Sequence, residues 1–292
     1  MADGEIEPEP SARRGRLFVL AAAMLWSVSG VVTKSIHLDS GSIAFYRSLF
    51  AGLSLLAFVP RRRIVFRPVM LPLVAVFGAM IGLYIGAVKA TSAANAIFLQ
   101  CSATFWVVPM SALILKEKPD RRSLAGVALA MVGVLAILVF GHHGTTGEWQ
   151  GVAMGLASGV AYAAVVTGMR GLRDLDPVWL SAVNNLGGAL CLGLWLATVS
   201  GGVARPSGGE AVALLLFGII QMAIPYAIFA KGLKTVDAAE AGLIGLVEPI
   251  LNMTWVALIV GEVPRGPTLI GGIFLLLGVA CRYWPSRRLA TS

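Results

Sequence analysis

Apolar residues fill most of the chain in runs of about 20, the length that crosses the hydrocarbon core of a bilayer as a helix. Short polar segments separate these runs, such as Pro60 with its three following arginines. Asp176 before Pro177 is typical of an N-cap followed by proline at the first helical position. The pattern predicts ten membrane-spanning helices, here called spans 1 to 10, at residues 17–35, 41–59, 68–88, 92–115, 122–140, 150–170, 177–199, 210–230, 237–260 and 267–284.

The apolar pattern also repeats. Residues 93–134 align without gaps with residues 238–279, 145 positions later, and 12 of the 42 positions are identical. The densest match is ALILKEKP at 112–119 against ALIVGEVP at 257–264. A repeat of this kind in a membrane protein indicates two copies of one unit with a binding site between them. We expect the copies to span 17–140 and 149–284, flanked by cytoplasmic tails at 1–16, which we expect to be disordered, and at 285–292.

Charge predicts the orientation of these spans. Eighteen Lys and Arg residues fall in the tails and in loops on one side, whereas four fall on the other side, namely Lys34, Lys89, Arg205 and Arg265. Because cytoplasmic loops carry the excess of Lys and Arg, both termini are predicted to be cytoplasmic. Five spans per copy is an odd number, so the second copy enters the membrane inverted. The predicted fold class is therefore an all-α integral membrane protein with ten transmembrane helices as two inverted five-helix repeats.

Composition excludes most other classes of protein. The chain is 57% hydrophobic and 13% charged, with a mean hydropathy of +0.82, whereas soluble domains carry about 25% charged residues. Its three cysteines lie in apolar segments without a CxxC pair, so we expect no metal site, no disulfide framework and no cofactor. The net charge of +8 reflects loop orientation and does not indicate nucleic-acid binding.

Several motifs carry a resemblance to a known family. The segment FGAMIGLYIGAVKATSAANAIFL (77–99) is echoed by FGIIQMAIPYAIFAKGLKTVDAAEAGLIGLVEPI (217–250). KEKP and GVALAMVGV in the first half correspond to GEVP and GGIFLLLGV in the second. Over about residues 17–284 this resembles the drug/metabolite transporter superfamily, in its ten-helix, duplicated (EamA-type) branch. The first half departs from the pattern, since Pro109 lies deeper in span 4 than Pro249 does in span 9 and no Glu precedes it.

The resemblance implies secondary transport, commonly export, of amino acids, nucleotide-type metabolites or drugs. Within the group the chain is most similar to bacterial amino-acid exporters, including the aromatic amino-acid type. The expected partners are a small-molecule substrate and the lipid bilayer, without nucleic acid, and a monomer is possible. The expected location is the plasma membrane, which is the inner membrane in a bacterium.

Charged side chains inside a bilayer are costly, so they are functional candidates. Arg47 lies in span 2, and Glu240 and Glu248 lie in span 9. We interpret all three as candidates for coupling transport to an energy source. Arg47 and Glu240 have an alternative interpretation, since each is close enough to an interface to snorkel. Glu248 has the alternative of a structural role at a helix break next to Pro249.

Deep aromatic and polar residues are candidates for substrate binding in a central cavity walled by spans 1, 3, 4, 6, 8 and 9. The full set is Trp26, Tyr84, Gln100, Trp106, Tyr162, Asn184, Gln221, Tyr226, Glu248 and Asn252. The alternative for the aromatic members is ordinary packing, and for the polar members it is hydrogen bonding between helices. Trp149, Trp179 and Trp284 lie at span ends and are predicted to be interfacial anchors.

Other functions are less compatible with the sequence. The chain has no GxxxxGK[ST] phosphate loop, which argues against ATP-driven transport and leaves exchange, facilitated diffusion or proton coupling. A membrane-embedded enzyme is disfavoured because His37, His142 and His143 all fall in predicted outer loops. A passive channel remains the alternative from a different class.

Overall fold

The structure is a computed structural model that describes residues 10–116, 121–140, 146–232, 235–236 and 244–283. Every regular element within these ranges is helical. The α-helices are α1 (Pro10–Trp26), α2 (Ser29–Ser35), α3 (Ser40–Leu56), α4 (Met70–Ala90), α5 (Ala93–Cys101), α6 (Ala103–Ile114), α7 (Arg121–Phe140), α8 (Thr146–Gly171), α9 (Pro177–Val199), α10 (Gly208–Gly218), α11 (Ile224–Gly232), α12 (Val247–Trp255) and α13 (Gly266–Tyr283). A 3₁₀ turn covers Arg61–Arg63, and π-helical turns cover Ile219–Ala223 and Val256–Val260.

Six helical segments in the described ranges are long and apolar enough to cross a membrane. They are Ala12–Ser35, Met70–Ala90, Ala93–Ile114, Thr146–Gly171, Pro177–Val199 and Gly208–Phe229. Leu124–Phe140, Val247–Val260 and Gly266–Cys281 are shorter apolar helices. Helix α3, on predicted span 2, has 17 residues. The all-helical membrane character predicted from hydropathy is confirmed.

The structure differs from the sequence-based expectation at the N-terminal side of span 1. Helix α1 begins at Pro10, so residues 10–16 are helical and are not part of a disordered tail. Packing accounts for the difference, because Gly15 is buried where α1 crosses the end of α11. A Cβ atom added to Gly15 would lie 3.2 Å from the carbonyl oxygen of Gly232. The close approach of the two backbones orders the segment.

The helices pack in pairs that recur between the two halves. Helix α4 on span 3 packs against α8 on span 6. The corresponding pair is α11 on span 8 with α1 on span 1. Helix α3 packs against α9, and α7 packs against α13. The largest hydrophobic core contains side chains from both halves, including Phe98 and Leu275, which are fully or almost fully buried.

Glycines set the closest of these helix crossings. A Cβ atom on Gly133 in α7 would lie 2.4 Å from the carbonyl oxygen of Gly271 in α13, and one on Gly278 would lie 2.6 Å from that of Gly126. The 145-residue repeat aligns Gly126 with Gly271 and Gly133 with Gly278, so each of these two contacts is the counterpart of the other. Small residues allow backbones to approach in lipid, where van der Waals packing drives helix association.

The start of α9 is confirmed, but its tryptophan is not an interfacial anchor. The Asp176 side chain accepts hydrogen bonds from the backbone N–H groups of Val178 and Trp179, as an N-cap does. Trp179 is 3% exposed, donates from Nε1 to the Val65 carbonyl at 2.8 Å and packs edge-on against Phe66. The prediction for Trp179 was wrong because the 60–69 loop folds over the end of α9.

Candidate functional site

Three predicted spans are interrupted along their length. Span 1 breaks after α1, where Ser27 Oγ donates to the Met24 carbonyl at 2.7 Å, a bond that competes with the helical pattern. Span 4 breaks at Ser102, and the described part of span 9 restarts as α12 at Val247. Pro249 is tolerated there because backbone N–H groups in the first turn have no intrahelical acceptor. In transporters, interrupted helices of this kind form the substrate site.

A buried chain of hydrogen bonds joins α2 and α12, which belong to interrupted spans, to each other and to α4 at the break in span 1. Ser29 Oγ lies 3.1 Å from the Tyr84 hydroxyl and accepts a 3.0 Å hydrogen bond from Asn252 Nδ2. All three residues are at most 4% exposed. Next to them, Trp255 Nε1 donates to Ser27 Oγ at 3.1 Å. The break in span 1 is therefore held by side chains from α4 in the first half and α12 in the second.

An aromatic group lies on the other side of the span 1 break. The Trp26 ring packs edge-on against Tyr226 with centroids 5.4 Å apart, and against Phe229 at 5.3 Å. Gln221 Nε2 donates to the Trp26 carbonyl at 3.2 Å. Gln221 belongs to the π-helical turn that precedes Pro225, which has no N–H to bond the carbonyl four residues earlier. π-helical turns are frequent at functional sites.

Arg47 points into the protein. Its side chain is 5% exposed, Nη2 donates to Met222 Sδ at 2.9 Å, and the guanidinium carbon lies 5.0 Å from the centre of the Phe217 ring. Met222 lies in the same π-helical turn as Gln221. The alternative in which Arg47 snorkels to an interface is therefore wrong, because helix α10 covers this face of α3.

Glu248 lies in the first turn of α12, where the positive end of the helix dipole favours a carboxylate. The residue is partly buried. Glu248 lies one helical turn before Asn252, which donates to Ser29. Six predicted residues therefore come together around Ser29 and Arg47, namely Trp26, Tyr84, Gln221, Tyr226, Glu248 and Asn252.

Two further predicted site residues, Gln100 and Trp106, contact residues that are not members of this group. Gln100 Nε2 donates to Ser158 Oγ at 2.8 Å, which ties α5 to α8. Trp106 packs against Phe105 and belongs to a separate apolar cluster with Ala163.

Tyr162 on α8 is 42% exposed. Asn184 on α9 is fully buried, and neither polar atom of its side chain has a hydrogen-bond partner. Glu240 lies outside the described residues, as do His142, His143 and Trp284.

Sequence reasoning missed several residues of the central group. Ser29 links Tyr84 to Asn252, and Met222 accepts from Arg47. Serine and methionine are common in membrane helices, so neither residue type marks a site. The useful signal was local: Ser27 and Ser29 directly follow the deep Trp26, and Gly30 permits a close approach. A Cβ atom on Gly30 would lie 2.5 Å from Asn252 Oδ1.

A second polar cluster, here called the Lys34–Glu262 clamp, ties together the end of α2, the turn before α5 and the loop after span 9. Lys34 Nζ forms a 2.7 Å ion pair with Glu262 Oε2 and donates to the Thr91 carbonyl at 2.9 Å. Glu262 Oε1 accepts a 2.6 Å hydrogen bond from the backbone N–H of Ala93, the first residue of α5. The carboxylate thus satisfies an N–H group at a helix N-terminus.

Ion pairs also join the 60–69 loop, which follows α3, to the loop that precedes α9. Arg63 Nη1 lies 2.7 Å from Asp176 Oδ2, and Arg67 pairs with Asp174. The hydrogen bond from Arg67 holds the pKa of Asp174 below its ordinary value. Partial burial raises the pKa of Asp176, but the hydrogen bonds from Arg63 and from two backbone N–H groups outweigh burial and lower it. The 60–69 loop and the loop before α9 are therefore connected by charge.

Within the described ranges, no group of three or more His, Cys, Asp or Glu side chains is placed to hold a metal ion.

Comparisons with known proteins give one family. The profile of the EamA-like transporter family matches residues 13–139 and again residues 149–284. An uncharacterized transporter of Archaeoglobus fulgidus is 28% identical over 269 residues, which cover 91% of this chain and 95% of that protein. The uncharacterized inner membrane transporter YicL of Salmonella typhimurium is 23% identical, covering 96% of this chain and 98% of its own.

Two further similarities bear on function and on fold. A probable amino-acid metabolite efflux pump of Salmonella typhimurium is 21% identical, covering 92% of this chain and 94% of its own. A solved crystal structure superposes with a TM-score of 0.68 at 19% identity, covering 94% of this chain and 99% of that one. At this identity the second similarity concerns the fold alone.

Proposed function

The chain belongs to the EamA-like transporter family, a membrane family of transporters and not of enzymes, and on this premise we propose that it is a secondary transporter working by alternating access. The observation that carries the proposal is the buried chain Tyr84–Ser29–Asn252. It joins an interrupted helix of the first half to an interrupted helix of the second half. A site at such a junction opens to either side when one half rocks against the other.

The proposed architecture is ten membrane helices in two inverted repeats. Three features support it. The α4–α8 contact has its counterpart in the contact of α11 with α1. The two close glycine contacts between α7 and α13 are counterparts of each other in the aligned repeat. The breaks at Ser102 and Leu246 are 144 residues apart, one fewer than the repeat offset.

The proposed substrate site comprises Trp26, Tyr84, Gln221, Tyr226, Glu248 and Asn252, together with Ser29 and Arg47. Trp26 and Tyr226 supply an apolar wall, and the other residues supply a few polar groups, as small-molecule sites do. Gln100, which joins α5 to α8, and Trp106, Tyr162 and Asn184 are proposed for the helices that surround the site.

The proposed substrates are amino acids or similar small metabolites. The probable amino-acid metabolite efflux pump supports this class, because it is related over nearly the full length of both chains. Export of drugs or nucleotide-type metabolites is the alternative within the family, and a passive channel is the alternative of a different class. A site with one partly buried carboxylate is compatible with three mechanisms: exchange, facilitated diffusion, and proton coupling through Glu248.

Counterflow in proteoliposomes tests the proposal. Vesicles containing purified protein are loaded with an unlabelled amino acid, and we measure uptake of the same labelled amino acid across a panel of all 20. A carrier gives saturable uptake that transiently exceeds equilibrium, whereas a channel gives neither. Trp26→Ala should lower uptake, and Phe140→Ala, a 65% exposed residue on α7, should not. Equal loss in both variants would contradict the site.

Reporter fusions test the proposed orientation, in which both termini lie in the cytoplasm and the protein lies in the plasma membrane. A fusion within residues 116–122 should read cytoplasmic, and one within 141–147 should read external. The opposite result at either loop would rule out the inverted arrangement.

A further inference from the structure

The Arg47 guanidinium is buried with most of its hydrogen-bond donors unused. A guanidinium has five N–H donors, and thioether sulfur is a weak acceptor. Nη2 reaches Met222 Sδ, whereas Nε and Nη1 are buried without a hydrogen-bond partner. Burying a charge is costly unless it is paired and hydrogen-bonded. Packing alone therefore gives no reason for a cation at this position.

Helix packing fixes this cation in place. A Cβ atom on Gly218 in α10 would lie 2.7 Å from Phe50 Cβ and 3.0 Å from the Arg47 carbonyl oxygen, so the two backbones are in close contact. The Phe217 ring covers the guanidinium at 5.0 Å. Arg47 is thus positioned before any ligand arrives, which lowers the entropic cost of binding one.

Glu248 belongs to the same group of residues as Arg47 and carries the opposite charge, but the two side chains form no ion pair. Among the described residues, the ion pairs are Lys34–Glu262, Arg63–Asp176 and Arg67–Asp174. Arg47 and Glu248 form no such pair. Within the part of the chain that the structure describes, Arg47 and Glu248 therefore each lack a counter-charge in contact, and a ligand that carries both charges supplies one to each. Arg47 adjoins the aromatic group, because Met222, which accepts from Arg47, lies in the same π-helical turn as Gln221, which donates to the Trp26 carbonyl.

We infer that Arg47 and Glu248 bind the two charged ends of an α-amino acid with an apolar side chain. An N–H group of Arg47 that has no partner in the structure, on Nε or Nη1, donates a charge-assisted hydrogen bond to the carboxylate. Glu248 accepts from the ammonium group, and Trp26 and Tyr226 contact the side chain. This assignment rests on the proposed transport function and specifies what that function recognises.

Analogues that each lack one charge test the assignment. The probes are L-leucine, L-leucinamide, which lacks the carboxylate, and 4-methylpentanoate, which lacks the ammonium group. An L-phenylalanine series has L-phenylalaninamide and 3-phenylpropionate as counterparts. Each compound competes against counterflow of the labelled amino acid. Loss of a charge-assisted contact should weaken competition by roughly 10- to 100-fold for both analogues of a series.

Two variants should lose this discrimination separately. In Arg47→Gln, the amino acid should compete no better than its amide. It should still compete better than the analogue that lacks the ammonium group. In Glu248→Gln, the amino acid should compete no better than the analogue that lacks the ammonium group. It should still compete better than the amide. Lys231→Gln, which removes an exposed cation at the end of α11, is the matched control and should keep both preferences.

The outcomes separate this inference from transport itself. If amides compete as well as amino acids in the wild type, the carboxylate site is refuted while transport stands. If amines and amides are exchanged and amino acids are not, the inference fails in the same way. If no compound exchanges, both the inference and amino-acid transport fail. Should Arg47→Gln not fold, the wild-type ranking of the three leucine compounds still decides.

Discussion

The Lys34–Glu262 clamp gives the sharpest stability prediction, because one carboxylate makes two separable contacts. Glu262→Gln keeps an oxygen that accepts from the Ala93 N–H but removes the ion pair with Lys34. Glu262→Ala removes both contacts. Lys34→Met removes the cation and keeps an apolar stem of similar length. The three variants and the double variant Lys34→Met/Glu262→Gln therefore divide the clamp into its parts.

The structure sets the expected magnitudes. A hydrogen bond to a charged group contributes about 1.5–3 kcal/mol, and an exposed ion pair contributes about 0.2–1 kcal/mol. The side chains of Lys34 and Glu262 are 17% and 26% exposed, so the ion pair falls near the upper end of that range. We expect the free energy of unfolding to fall by about 1 kcal/mol in Glu262→Gln and by about 2–3 kcal/mol in Glu262→Ala.

Reversible unfolding in mixed detergent micelles, followed by tryptophan fluorescence, measures these free energies. The double-mutant cycle should give a coupling energy of about 1 kcal/mol between positions 34 and 262. Arg265→Met removes a cation from the same loop that forms no ion pair among the described residues, and it should change stability by less than about 0.5 kcal/mol. A coupling below about 0.3 kcal/mol, or an equal effect of Arg265→Met, would refute the clamp as described.

Three further predictions concern the helix crossing, the loops and the coupling carboxylate. Gly133→Ala places a Cβ atom against the Gly271 backbone and should lower the free energy of unfolding by about 1–3 kcal/mol, whereas Gly147→Ala, with open space around it, should not; equal effects would contradict the crossing. Because the pKa of Asp176 is lowered in the fold, its charge stabilises the protein above the ordinary carboxyl pKa and ceases to do so as pH falls through the lowered value. The stability advantage of wild type over Asp176→Asn, measured by unfolding at a series of pH values, should therefore shrink on acidification, and a constant difference would contradict it. At saturating substrate, Glu248→Gln should still exchange but lose accumulation driven by a pH gradient; wild-type transport that ignores the gradient would make facilitated diffusion or exchange the mechanism.

Some of the central group was predictable from residue type. Tyr84, Asn252 and Gln221 are polar or aromatic side chains deep in apolar spans, where each needs a hydrogen-bond partner, and all three have one in the structure. The same reasoning selected Gln100, whose partner Ser158 is not a member of the group. A polar residue in a span thus signals an interhelical hydrogen bond, but it does not indicate which helix provides the partner.

The sequence by itself determined the helical membrane class, the family resemblance and the caps at helix starts such as Asp176, because hydropathy and capping are local properties of the chain. Only the tertiary structure decided that Arg47 points inward, that Trp179 is buried beneath a loop and that Trp26 meets Tyr226. The physical reason is that lipid and protein core are both apolar. A helix exposed to lipid on one face and to its neighbours on the other carries little contrast in hydropathy between the two. Its rotation is fixed by close contacts such as Gly218 against α3, and these appear only once the helices are packed.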